Sequence, residues 1–149
     1  MNTTTERQNV HSSFTIERTY DAPVADVYRA LSEKDAMALW FGGAEGLTVD
    51  FRLGGGTVNE GSHDGTIYKF ASNYRDIVPN ERIVYGYDMW VNSDLMSVSV
   101  ATVTLEADGD RTHLVHTEQG VFLDGLDTSA AREQGTGEML DALGKSVAR

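Results

Sequence analysis

The chain has no cysteine among its 149 residues, which excludes disulfides, thiolate metal sites and a cysteine nucleophile and fits a reducing compartment. Basic side chains are scarce: 12 Lys and Arg stand against 23 Asp and Glu, for a formal charge of -11. Nucleic-acid affinity relies on clustered Lys and Arg, so no nucleic-acid partner is expected. Long apolar runs are missing as well. No stretch approaches the roughly 20 residues of a membrane span, and Met1 to Val10 lacks the apolar core of a secretory signal. The expectation is a soluble cytoplasmic protein without membrane insertion. Its length suits one domain with a substantial core.

Residues 1–12, rich in Thr, Asn and Gln, read as a flexible leader, and residues 13–149 as a single domain. Alternation predicts a first strand from Ser13 to Tyr20. Asp21-Ala22-Pro23 then opens a helix, with Asp21 or a neighbour as cap, and Val24, Val27, Tyr28 and Leu31 follow at helical spacing. A second short helix is predicted from Lys34 to Leu39, stopped by Gly42-Gly43. Six strands follow: Leu47 to Leu53, Gly56 to Gly61, Thr66 to Val78, Arg82 to Val91, Leu95 to Glu106 and Thr112 to Leu123. The connections Asp64-Gly65, Pro79-Asn80, Asn92-Ser93-Asp94 and Asp108-Gly109-Asp110 carry turn chemistry, so the strands form an antiparallel meander. A last helix, Thr128 to Val147, presents Met139, Leu140, Leu143 and Val147 as a stripe. The fold class is therefore α+β, a curved antiparallel sheet with two short helices and one long C-terminal helix over one face. Gly135 and Gly137 inside that helix each cost about 1 kcal/mol relative to Ala, which calls for either close packing on the sheet or a kink over a cavity.

The last strand carries the most informative pattern. Its alternation puts Leu114, His116, Glu118 and Phe122 on one face, so a carboxylate shares a side with apolar residues. Removing that charge from water requires a partner, a ligand or a wet cavity. Glu118 either pairs with an arginine, Arg52 or Arg132, or acts with His116 on a bound molecule as acid and base. Asp124, before Gly125, suits a turn or cap. His113 and His116 point to opposite faces, His11 lies in the leader and His63 in a turn, so no metal ligand set and no cofactor are expected. Gly54-Gly55-Gly56 lacks the Lys-Ser/Thr ending of a phosphate loop. Ser97 and Ser99 lie in a strand without a nucleophile elbow and, with Ala101, leave room inside the sheet.

Several anchors carry a resemblance across Phe14 to Val147: Tyr20-Asp21-Ala22-Pro23, Leu39-Trp40-Phe41, Asp50-Phe51-Arg52-Leu53-Gly54-Gly55, Asp76 to Tyr85, and Ala101 to Thr112. With Thr117-Glu118-Gln119-Gly120 they resemble the START-like, or SRPBCC, superfamily and, within it, the domain named for the activator of Hsp90 ATPase. The resemblance implies a helix-grip fold with a deep apolar cavity between the long helix and the sheet, used across that superfamily for hydrophobic molecules.

On that basis Trp40, Phe41, Tyr68, Phe70, Tyr85, Tyr87, Met96, His116, Glu118, Met139 and Leu143 are candidate ligand-binding residues, with Tyr74, Met89 and Trp90 as further aromatic or soft neighbours. Many large aromatics in such a set belong to ordinary core. Ile83, Tyr85 and Tyr87 share a face and are expected to look inward. The first functional expectation is a non-enzymatic protein that holds a small hydrophobic or amphipathic molecule. The second is a cyclase-, aromatase- or hydrolase-like enzyme using Glu118 and His116. A third is a chaperone-related interaction module, and an exposed strand would allow a homodimer.

Overall fold

The computed structural model describes residues 6–149. Seven strands form one antiparallel sheet in the order β1-β7-β6-β5-β4-β3-β2: β1 (Asn9–Tyr20), β2 (Leu47–Val49), β3 (Thr57–His63), β4 (Thr66–Val78), β5 (Arg82–Val91), β6 (Asp94–Asp108) and β7 (Arg111–Leu123). Between β1 and β2 lie α1 (Val24–Ser32) and α2 (Lys34–Met37), and α3 (Ser129–Val147) closes the chain. This is the helix-grip architecture expected from the sequence.

The hairpin turns sit where turn chemistry placed them. Asp64 and Gly65 both adopt positive φ, 50° and 80°, which matches a tight connection to the right-handed twist of β3 and β4. Asn80, Asn92 and Gly109 take positive φ in the next three turns. Register shifts between Tyr74 and Asp76 and between Met89 and Trp90 insert extra residues, which bend the strands and curve the sheet.

Some boundaries differ from the sequence reading. Residues 1–5 of the expected leader lie outside the described residues, whereas Asn9 to Ser12 pair with Leu123 to Gly120 and extend β1 by four positions. Their side chains, Val10 included, are mostly exposed, so backbone pairing, helped by the Ser12 hydroxyl on that of Ser129, holds them, a signal that hydrophobic alternation does not carry. β2 ends at Val49 because the chain turns through Arg52 to Gly54. At α1, Pro23 itself occupies the cap position and no side chain caps the helix, whereas Thr128 caps α3 by accepting from the Ala131 amide.

The core gathers Phe14, Ile16 and Tyr20 of β1, Val27 and Leu31 of α1, Val103, Leu105 and Leu114 of the central strands, and Leu140 and Leu143 of α3. Full burial of Leu143 alone contributes about 2 kcal/mol. Only the C-terminal half of α3 is seated in this core. Its inward stripe is Arg132, Thr136, Leu140 and Leu143, so the helix is polar on its buried side toward the N-terminus.

The two unexplained glycines do not share a role. A Cβ at Gly137 would stand 3.2 Å from the Arg18 guanidinium, while one at Gly135 would meet nothing within 4 Å. Close packing belongs instead to Gly144, where a Cβ would lie 2.8 Å from the Tyr20 ring. That ring is fixed by its hydroxyl, which donates to the Leu140 carbonyl at 2.7 Å. Gly135→Ala should therefore stabilise the protein by about 0.5–1 kcal/mol through helix propensity. Gly144→Ala should cost about 1–3 kcal/mol by overpacking. Urea unfolding of both variants checks the opposite signs.

Candidate functional site

Between the N-terminal half of α3 and the sheet lies a cavity of about 480 Å³. Its wall draws on Leu31 and Met37 of α1 and α2, the Trp40 to Gly42 turn, β3, β4 and β5, Val103 of β6, His116 and Glu118 of β7, and α3. Gly42, Gly61, Ser62, His63, Tyr68 and Ala131 line it and are exposed, which puts the opening between the β3–β4 hairpin, the turn after α2 and the start of α3. On α3, Ala131, Gly135 and Met139 recur every fourth residue along the wall, and the missing side chain of Gly135 leaves that border open.

Aromatic rings build the floor. Phe41 meets Phe70 edge-on at 5.0 Å, Phe70 lies 4.7 Å from Tyr87, and Tyr85 stands 5.9 Å from Tyr87 and 6.1 Å from Tyr74. These rings reach the same space because strand alternation sends Ile83, Tyr85 and Tyr87 inward together. The wall also carries polar pairs: Asn59 donates to the Phe41 carbonyl at 2.8 Å beside the turn after α2, and, away from the opening, the buried Thr57 and Tyr74 hydroxyls pair at 2.5 Å.

One side of the cavity holds a buried polar network. Glu118 accepts from the Tyr87 hydroxyl at 2.5 Å, and its other oxygen lies 3.0 Å from His116 Nε2. Arg132 donates from Nη1 to Tyr87 Oη at 2.9 Å and from Nη2 to Ser97 Oγ at 2.8 Å and Asp127 Oδ2 at 3.0 Å. Its Nη1 is 3.8 Å from Glu118 Oε2. The guanidinium also lies 5.1 Å from the Phe122 ring centre and 5.7 Å from that of Tyr87, within cation–π range. Tyr87 on β5 reaches Glu118 on β7 across β6, a span of roughly 10 Å at the usual strand spacing. Ser99 and Ala101 opposite them are small enough to leave that path clear, the room their sequence suggested.

Two buried atoms have no partner among the described residues: His116 Nδ1 and Ser99 Oγ. Burial, followed by the Glu118 charge, pushes the phenols of Tyr85 and Tyr87 well above their ordinary range. Both therefore remain neutral donors at physiological pH.

Of the candidates named from sequence, Trp40, Phe41, Tyr68, Phe70, Tyr85, Tyr87, His116, Glu118 and Met139 line the cavity. Met96 and Leu143 do not. Met96 is the extra residue of the β5–β6 bulge, between Leu95 and Ser97, and is buried off the cavity wall, while Leu143 is sealed in the core. Between the two arginines weighed as partners of Glu118, the structure selects Arg132. Arg52 instead contacts Asp50 at 3.0 Å on the surface. The sequence reading left Arg132 level with Arg52, although its phase with Thr136, Leu140 and Leu143 marks it as inward. Asp124 holds a turn at φ 56°, accepting from the Gln8 amide and Arg7, which lowers its pKa.

Residues 21–148 match the family model described as Activator of Hsp90 ATPase homolog 1-like protein. The chain belongs to this family. An uncharacterized protein from Rhizobium leguminosarum is 40% identical, with 96% of this chain and 98% of that one aligned at a TM-score of 0.91. A protein from Rhizobium loti is also 40% identical, covering 93% and 99% at 0.87. One from Chromobacterium violaceum is 25% identical, covering 92% and 97% at 0.79. No curated protein matches the chain. Membership of the Activator of Hsp90 ATPase homolog 1-like family thus accounts for the fold, and these neighbours share it across nearly their whole length.

The network predicts energetic coupling. Arg132→Met should cost about 3 kcal/mol, because it leaves a buried carboxylate without its cation. Adding Glu118→Gln should recover about 1–3 kcal/mol of that loss in a double-mutant cycle, whereas simple additivity would show that the two side chains are independent. The tyrosines give a second expectation. Above about pH 10 the unfolded chain releases phenolic protons that the native state retains, so stability should fall as pH rises further. Ultraviolet titration should show Tyr85 and Tyr87 ionising only as the protein unfolds.

Proposed function

We propose that the protein binds a small hydrophobic or amphipathic molecule in the cavity between α3 and the sheet. The observation that carries this reading is the cavity itself: about 480 Å³, apolar over most of its wall with a cluster of aromatic rings, open to solvent at one end and bounded by a few directed polar groups. Sites for small molecules have that size and that mixture. The apolar rings supply affinity through burial, and the Tyr85 hydroxyl supplies orientation, that of Tyr87 being engaged by Glu118 and Arg132. An interaction module acting through its exterior would have no use for such an interior.

A second reading has its own observation. His116 and Glu118 are in contact on a cavity wall, an arrangement suited to moving a proton to or from a bound molecule. In that case the bound molecule is a substrate. Glu118→Gln would then abolish its conversion and leave its binding largely intact.

Native mass spectrometry of the freshly purified protein, followed by denaturing extraction, should reveal a stoichiometric organic ligand. N-phenylnaphthylamine, a neutral aromatic probe, should bind with enhanced fluorescence. Gly135→Phe, which places a ring at the cavity border where nothing now stands within 4 Å of a Cβ, should weaken that binding on the order of tenfold without lowering the melting temperature. Unchanged probe binding in Gly135→Phe would move the binding site away from the cavity.

A further inference from the structure

The cavity wall has a charge bias in addition to its apolar character. His63, His116, Glu118, Asp127 and Arg132 are its charged or readily titrating side chains. His63 stands at the exposed mouth, 3.4 Å from Asp64. Within, Arg132 is the permanent cation among the described lining residues, and it is already matched: Asp127 lies 3.0 Å and Glu118 3.8 Å away. Its terminal nitrogens are committed to Tyr87, Ser97 and Asp127. With His116 neutral, the interior side chains sum to one negative charge. With His116 protonated they sum to zero. In neither state is positive charge left over for an anion.

The surroundings reinforce this bias. The Glu118 charge acts on Tyr85 and Tyr87 after burial has already raised their pKa values, so its field extends over the aromatic floor. Aromatic faces attract cations and offer nothing to a carboxylate. An anion entering this space would lose its hydration and meet like charge at low dielectric, with no free guanidinium or ammonium in compensation.

We propose that the cavity selects neutral or amine-bearing aromatic molecules and discriminates against carboxylates and phosphates on the same skeleton, which disfavours fatty acids and acyl phosphates as occupants. The ring lies among Phe41, Phe70, Tyr85 and Tyr87, and the polar substituent faces Glu118 and Asp127. This inference rests on the cavity-binding reading above and adds the chemical class of the ligand.

Three probes that share one skeleton test it: naphthylmethylamine, naphthylmethanol and naphthoate, titrated calorimetrically into the intact chain at about pH 7. The amine and the alcohol should bind, and naphthoate should bind at least about tenfold more weakly than the amine. Asp127→Asn, at the partly exposed end of the network, should narrow that gap several-fold. Naphthoate binding as tightly as the amine, with the alcohol also bound, would overturn the charge preference and leave cavity binding standing. Failure of all three to bind would overturn both.

Discussion

Arg132 ties the long helix to the sheet, and the cavity follows from how it does so. One side chain from the first third of α3 reaches Ser97 on β6, Tyr87 on β5 and, through that hydroxyl, Glu118 on β7. At the other end, Gly144 lets the helix backbone settle against Tyr20, and Arg18 holds Asp141 at 2.7 Å. The helix is thus fixed by a long polar side chain at one end and by direct backbone contact at the other. A guanidinium on its stem spans more distance than a leucine. The N-terminal half therefore stands off the sheet, and the space beneath it is bounded instead of filled.

The sheet is shaped to match. Its inner face carries large rings on β4 and β5 and small residues, Ser97, Ser99 and Ala101, on β6. Gly120 completes the small set, since a Cβ there would fall 2.6 Å from Ser99 Oγ. The depression over β6 lets Tyr87 extend across to Glu118, so the same small residues that reduce packing also make the network geometrically possible. A larger residue at Ala101 or Ser99 would obstruct that path before it filled the cavity.

Local sequence signals account for most of this architecture and for little of the network. Asp64-Gly65 and Pro79-Asn80 define turns by their own chemistry, and the alternation in Thr112 to Leu123 commits His116 and Glu118 to one face whatever lies opposite. Partner choice is different in kind. Arg52 and Arg132 both offer a guanidinium, and only the packing of a helix far along the chain decides that Arg132 meets Glu118. The same holds for Leu143 and Met139, four residues apart on one helix, where the helix tilt sends one into the core and the other to the cavity wall. Met96 shows a further limit, because a bulge changes which face a residue occupies and leaves no mark in simple alternation. Asn9 to Ser12 show the converse, a strand formed by backbone pairing where the side chains carry no pattern.

Two features of this molecule work against stability, an interior left open and charged groups withdrawn from water, and they occupy the same place. Replacing a buried ion pair with apolar residues of similar volume is often neutral or stabilising. A fold that required only its own cohesion would gain by filling the space between α3 and β5 and by exchanging Glu118 and Arg132 for aliphatic side chains. Elsewhere the chain is locally consistent: turns, alternation and core residues all favour the same fold. Departures from that consistency concentrate where a site does its work. The open interior and the His116–Glu118 contact lie together on one wall, so the part of the structure least explained by folding is also the part with chemical capacity.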